Sequence, residues 1–191
     1  PPEPIYHDSC DATFFKLPID GQTEQSYGVQ LWGNGVIYEK RVPEAYRNRR
    51  LYYLDLMTCK EFQITREIDS VGKAWLWDHQ IVFSLCRDCS DEPPKGADLF
   101  MVDLSDWSRS CILEEDLGVM EPRFNGRHVV YTEYLPGDWS PNPPPMRLVV
   151  WDMLTDEKIE LAPYGASTPY YAISERYVTW AGYFGLPGQE G

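Results

Sequence analysis

The Cys86-Arg87-Asp88-Cys89 segment places two cysteines at a spacing that supports three kinds of chemistry. They could form half of a zinc site, a redox pair or a local disulfide. Zinc needs two further ligands. The remaining cysteines, Cys10, Cys59 and Cys111, belong to other parts of the chain, and His7, His79 and His128 are its only histidines. A thioredoxin-type pair opens a helix, and no helix is readable after Cys89. The expectation is therefore a Cys86–Cys89 disulfide stapling its loop, or two inert thiols.

Motifs for catalysis are missing. The chain has no Gly-x-Ser-x-Gly elbow, no His-Glu-x-x-His and no phosphate loop. No catalytic residue and no cofactor are assigned on this reading. Two acidic clusters, Asp88-Asp91-Glu92 and Glu114-Glu115-Asp116, are candidates for a structural Ca2+, although neither has regular ligand spacing. Solvated acids are the simpler reading.

Two segments carry residues suited to binding. Arg41, Arg47, Arg49 and Arg50, with Lys40, concentrate positive charge in a chain of net charge −13. Such a cluster suits a carboxylate, a phosphate or an acidic partner. Tyr134 and Trp139 lie in a proline-rich stretch running to Pro145. Proline lowers the entropy of ordering, so these aromatics suit stacking on a sugar or gripping a protein.

What must position these residues is a repeat. Val36-Ile37-Tyr38, Ile81-Val82-Phe83, Val129-Val130-Tyr131 and Tyr177-Val178-Thr179-Trp180 each run through β-branched residues to an aromatic. Their aromatics are 45, 48 and 49 residues apart. A polar turn and a further apolar run precede each window, which is a hairpin signature. A second pattern follows: Tyr53-Leu54-Asp55-Leu56, Met101-Val102-Asp103-Leu104 and Val150-Trp151-Asp152-Met153, each with a turn and a last short strand. Four strands per period of 45–49 residues predict an all-β propeller of four-stranded antiparallel blades. The blades fall at about 27–66, 70–115 and 118–163. Both faces of the runs are apolar, as blades packed on both sides require. The Asp at the end of each third strand is expected to accept hydrogen bonds from the turn after it.

Asp8 extends the Asp series by one step, and the sequence ends, after Trp180, with only the first two strands of a unit. This predicts a composite fourth blade, residues 166–191 with 1–18, in which Ile5–Asp8 pairs with Tyr177–Trp180. Four-bladed closure would leave no sheet edge open. The alternative is a fragment of a six- to eight-bladed ring. The first residue is Pro1 rather than Met, so the chain reads as processed, excised or trimmed. Tyr38, Phe83, Tyr131 and Trp180 are expected at equivalent places between blades.

The units Tyr53-Leu54-Asp55-Leu56-Met57-Thr58 and Val150-Trp151-Asp152-Met153-Leu154-Thr155, with Gly126-Arg127-His128-Val129-Val130-Tyr131, resemble the repeats of TolB-like propellers. The resemblance covers nearly the whole chain, although that family's Ser-Pro-Asp-Gly turn is absent. It implies a binding platform; some relatives are peptidases or lyases.

Composition narrows the partners. Apolar residues make up 43% of the 191 and aromatics 14%, which suits one globular domain with half-buried pleated faces. Net charge −13 disfavours nucleic acid and anionic membranes, and no apolar run is long enough to span a bilayer. The 16 prolines and the Tyr/Trp richness favour an extracellular or periplasmic setting. In a propeller the loops between strands two and three share one face. Here they are long: 39–50, 84–98 and 132–147. Long loops on a rigid scaffold are where binding residues gather. The leading expectation is a secreted, non-catalytic module that binds a protein or glycan there, through Arg41, Arg47, Arg49, Arg50, Tyr134 and Trp139. The rivals are a hydrolase or lyase with an acidic axial pocket, or a structural subunit of a surface assembly.

Overall fold

The computed structural model describes residues 2–6, 26–41, 49–66, 71–86, 97–114, 118–134, 146–166 and 170–181. The described residues form strands and turns only. The two-residue strand β1 (Ile5–Tyr6) comes first. The first blade is β2 (Ser26–Trp32), β3 (Gly35–Arg41), β4 (Arg49–Asp55) and β5 (Lys60–Gln63). The second is β6 (Val71–Trp77), β7 (Gln80–Cys86), β8 (Ala97–Asp103) and β9 (Arg109–Leu113). The third is β10 (Gly118–Phe124), β11 (His128–Tyr134), β12 (Met146–Asp152) and β13 (Glu157–Ala166). A terminal hairpin follows, β14 (Tyr170–Ile173) and β15 (Val178–Ala181). Each blade is an antiparallel meander. A single parallel bridge, Gly118 to Ala97, joins the first strand of the third blade to the third strand of the second.

The apolar runs have two faces because side chains alternate along a strand. Ile81 and Phe83 pack toward the first blade with Ile37 and Leu51, while Val82 between them packs toward the third with Val129 and Tyr131. One unit later, Val129 and Tyr131 face back and Val130 faces forward onto Tyr171 and Val178. The same two-sided pattern therefore makes every inter-blade core. The first strands of successive blades, β2, β6, β10 and β14, are neighbours in turn, as strands lining a common axis must be.

The turns repeat as well. Asp55 Oδ1 accepts from Met57 N at 2.9 Å, Asp103 Oδ1 from Ser105 N at 2.9 Å, and Asp152 Oδ1 from Leu154 N at 2.9 Å. This is the role expected of the repeated Asp; Asp8 lies outside the described residues. Four residues beyond each Asp, the chain turns through the left-handed region at Cys59 (φ 55°), Trp107 (61°) and Asp156 (60°). Two of these three are not residues that favour such a turn, so sequence patterning did not disclose it.

Two expectations about the ends are corrected. Ile5 and Tyr6 lie opposite Glu61 and Lys60, adding a strand to the outer edge of the first blade, not to Tyr177–Trp180. The four-residue β5 otherwise presents an unpaired edge, and a short strand covers it. No closed sheet joins the two ends among the described residues. Trp180 also differs from its counterparts: Tyr38, Phe83 and Tyr131 are fully buried, whereas Trp180 is 42% exposed. Among the described residues its sheet has two strands, so less surface is available to cover the ring.

Candidate binding face

At one end of the blades the first and second strands are joined by tight turns. Gly33–Asn34 and Asp78–His79 are two residues long, and Asn125 caps the third by accepting from Arg127 N and His128 N. At the other end, β3 leads to β4, β7 to β8 and β11 to β12 through 42–48, 87–96 and 135–145, which lie outside the described residues. The strand ends that carry them are described, and each holds a buried acid: Glu39 (1% exposed), Asp98 (8%) and Glu133 (1%).

Two of these acids are clasped by an arginine on the neighbouring strand. Arg49 Nη1 on β4 donates to Glu39 Oε2 on β3 at 3.2 Å. Arg147 on β12 grips Glu133 Oε2 on β11 with Nε and Nη2, both at 2.5 Å, and reaches Glu160 Oε2 at 3.3 Å. A charge-assisted pair across adjacent strands fixes the separation from which a loop departs. On the opposite face of the first blade, Lys40 Nζ pairs with the buried Glu61 Oε1 at 2.9 Å. Tyr38 donates its hydroxyl to the same carboxylate, and Lys40 lies 4.4 Å over the Tyr52 ring.

Glu39 stands out by position. The first strand of each blade is bulged, between Tyr27 and Gln30, Val71 and Ala74, and Met120 and Arg123. In the second and third blades a small hydroxyl serves the bulge. Ser84 Oγ accepts from Lys73 N at 3.2 Å, and Thr132 Oγ1 donates to Met120 O at 3.1 Å. The equivalent place in the first blade holds Glu39. Its partner across the bulge is Gly28 (φ 61°), where a Cβ would stand 2.7 Å from Glu39 Oε1. The left-handed backbone at this position favours glycine, and a side chain there would displace the carboxylate. Burial pushes the Glu39 carboxyl above its ordinary range, against the opposing pull of Lys73 and Arg49. Aligning the residue after each repeat aromatic, Glu39 with Ser84 and Thr132, is the sequence signal that would have found it.

The residues expected to bind are placed as follows. Arg49 belongs to the Glu39 clasp. Arg50 is half-buried opposite Lys40, with its Nε buried and without a hydrogen-bond partner. Arg41 ends β3 opposite Arg49, its side chain outside the described residues. Tyr134 ends β11, half-buried; burial and the nearby Glu121 carboxylate raise its phenol pKa. Arg47, Trp139 and Cys89 lie outside the described residues, as does the Cys86 side chain, so no pairing of Cys86 with Cys89 is described. Among the described residues no group of three or more His, Cys, Asp or Glu is placed to hold a metal. Of the two acidic clusters, only Glu114 is described, and it is exposed.

His79 and His128 sit at the opposite, tight-turn end, and His7 lies outside the described residues. His79 Nε2 lies 3.4 Å from Asp103 Oδ2, and Ser105 Oγ donates to the same carboxylate at 2.5 Å. Ser105 and His79 thus both address the Asp103 carboxylate.

No protein-family model matches the sequence, and no curated protein matches it. Solved structures do resemble it in fold. A putative TolB from Agrobacterium tumefaciens aligns over 74% of this chain and 50% of its own, at 16% identity and a TM-score of 0.55. An acylaminoacyl peptidase aligns over 83% of this chain and 28% of its own, at 14% identity and 0.60. The propeller domain of the Trilobed protease from Pyrococcus furiosus, described as having an open velcro topology, aligns over 89% and 57%, at 14% identity and 0.53. The chain thus spans 28–57% of the length of these proteins. At such identities the likeness establishes the propeller fold and the TolB-like resemblance of its blades.

Proposed function

We propose that this chain is a propeller binding module that engages a protein or glycan through the face carrying segments 42–48, 87–96 and 135–145. The observation that carries this reading is the pair of clasps on buried acids, Glu39–Arg49 and Glu133–Arg147, each set where a long connection leaves its blade. A rigid base under variable loops is the arrangement used to present binding residues. Arg41, Arg47 and Arg50 supply positive charge against a net charge of −13, which favours an acidic partner. Tyr134 and Trp139 supply aromatic surface. We also propose an extracellular or periplasmic setting, on the strength of the 16 prolines and the 14% aromatic content.

The raised Glu39 carboxyl is the observation favouring the rival reading, a hydrolase or lyase, since a protonated buried acid can act as a general acid. At 1% exposure and held by Arg49, Glu39 offers no open access to a substrate, so the binding reading is preferred.

The test is a joint Arg47→Ala and Trp139→Ala substitution, which spares both clasps. An array of sulfated, uronate and neutral glycans, with heparin as a solution probe, should show binding by the parent chain. The double variant should keep its unfolding midpoint and lose at least tenfold in affinity, about 1.4 kcal/mol. Binding that persists unchanged, or that maps to the turns at Asn34, His79 and Asn125, contradicts the assignment.

A further inference from the structure

Arg49, Arg127 and Arg147 each pair with a carboxylate, that of Glu39, Asp152 and Glu133 in turn. Arg123 on β10 does not. It is half-buried, and among the described residues none pairs with its charge or accepts a hydrogen bond from its side chain. Two rings hold it instead. Its guanidinium carbon lies 4.6 Å over the Trp75 ring on β6 and 5.3 Å over the Tyr171 ring on β14. These are the first strands before and after β10, and both belong to the described residues. Arg123 lies opposite Val130, as Gln30 lies opposite Ile37 in the first blade. There Gln30 uses both ends of its planar amide: Nε2 donates to Leu76 O at 3.0 Å, and Oε1 accepts from Leu76 N at 2.7 Å. Arg123 sets a planar fork of donors at the same place without such partners. The Trp75 Nε1 is buried and likewise lacks an acceptor. Two donors on adjacent first strands are thus unanswered, which is rare for groups shielded from water.

Glu121 completes the setting. It stands at φ 54° in the β10 bulge, where the first blade has Gly28 at 61°. Glycine would relieve that conformation, and such strain persists where the surrounding structure or the function requires it. Tyr171 donates its hydroxyl to the Glu121 carbonyl. Burial first, and then the Glu121 carboxylate, raise the Tyr171 phenol, while Arg123 opposes them. Both charges therefore lie near this ring, yet they form no ion pair with each other. We propose that Arg123 anchors a binding site for a small carboxylate, set on the first strands β6, β10 and β14. Shape and charge give the class. Where aromatic rings meet the face of a guanidinium, its N–H edge is left for bonding, and that edge matches the two oxygens of a carboxylate. The nearby Glu121 carboxylate repels a dianion such as sulfate more than it repels a monoanion. This inference does not depend on the loop-face reading.

The test is titration of the 191-residue chain with sodium benzoate to about 50 mM at constant ionic strength, which reaches dissociation constants in the millimolar regime. The indole N–H resonance of Trp75, identified by its loss in Trp75→Phe, is the readout. Benzoate should shift it saturably, neutral benzamide should not, and sulfate should bind more weakly than benzoate. Arg123→Met should weaken benzoate binding at least tenfold. Arg123→Lys, which keeps the charge but not the fork, should weaken it several-fold with the parent's unfolding midpoint. Glu121→Gln removes a repelling charge and should tighten binding several-fold. The joint Arg47→Ala and Trp139→Ala variant should titrate as the parent does, so the two readings fail separately. The proposal is overturned by the absence of a saturable shift, by an equal response to benzamide, or by sulfate binding more tightly. Unchanged affinity in a folded Arg123→Met chain overturns it too, as does parent-like affinity in Arg123→Lys or weaker binding by Glu121→Gln.

Discussion

Phe83→Ala is expected to lower the unfolding free energy by about 3–5 kcal/mol, the cost of removing a fully buried aromatic from a core that cannot collapse around the void. Phe83 is 0% exposed. It packs with Ile37 and Leu51 of the first blade, and its ring stacks on Phe100 at 6.0 Å. The counterpart substitution Trp180→Ala should cost less than about 1 kcal/mol, because that ring is 42% exposed. Urea unfolding followed by circular dichroism, so that loss of a tryptophan does not alter the signal, measures both. Equal losses, or a neutral Phe83→Ala, would mean that the aromatics are not equivalent elements of inter-blade cores.

Arg49→Met should cost about 3 kcal/mol at pH 8, because it leaves Glu39 buried beside the bulge without its clasp. The cost should depend on pH in a definite sense. The Glu39 carboxyl already titrates above its ordinary range, so the folded state holds its proton more tightly than the unfolded chain. Such a group contributes stability that is present at low pH and lost as pH rises through the folded-state pKa. Removing Arg49 raises that pKa further and widens the window. The destabilisation should therefore be smaller at pH 5 than at pH 8. Adding Glu39→Gln to Arg49→Met should recover most of the loss at pH 8 and flatten the dependence. Unfolding midpoints of the parent and three variants across this range decide it. A loss that is the same at pH 5 and 8, or a double variant no better than the single one, would show that the carboxylate is not the source.

Much of this fold is legible in the sequence because its signals are periodic. Side-chain alternation in Ile81-Val82-Phe83 announces a strand covered on both faces, and recurrence every 45–49 residues announces blades. Asp55, Asp103 and Asp152 announce turns because a short carboxylate accepts from the backbone two residues on. The pairing of the ends is not legible in this way. A two-residue strand such as Ile5–Tyr6 carries almost no register information, and the free edge of β5 can take it as readily as β15 can. The candidate site is less legible still. Arg49 reads as a surface charge from its neighbours Arg47 and Arg50, but its partner Glu39 is ten residues away in sequence and adjacent only across the hairpin. Glu39 reads as the first residue of the loop 39–50 until it is set against Ser84 and Thr132.

The central claim is that each blade packs on the next through the same pair of unlike faces. Methyl-to-aromatic NOEs in a methyl-labelled sample test it most directly. The account requires Ile37 and Leu51 methyls to contact the Phe83 ring, Val82 and Leu99 methyls the Tyr131 ring, and Val130 and Leu148 methyls the Tyr171 ring. The Phe83 ring should show no contact with Val129 or Val149, which lie on the far side of its own blade in the next core. Finding Phe83 against the third blade, or finding these three sets of contacts absent while the strands are intact, would contradict it.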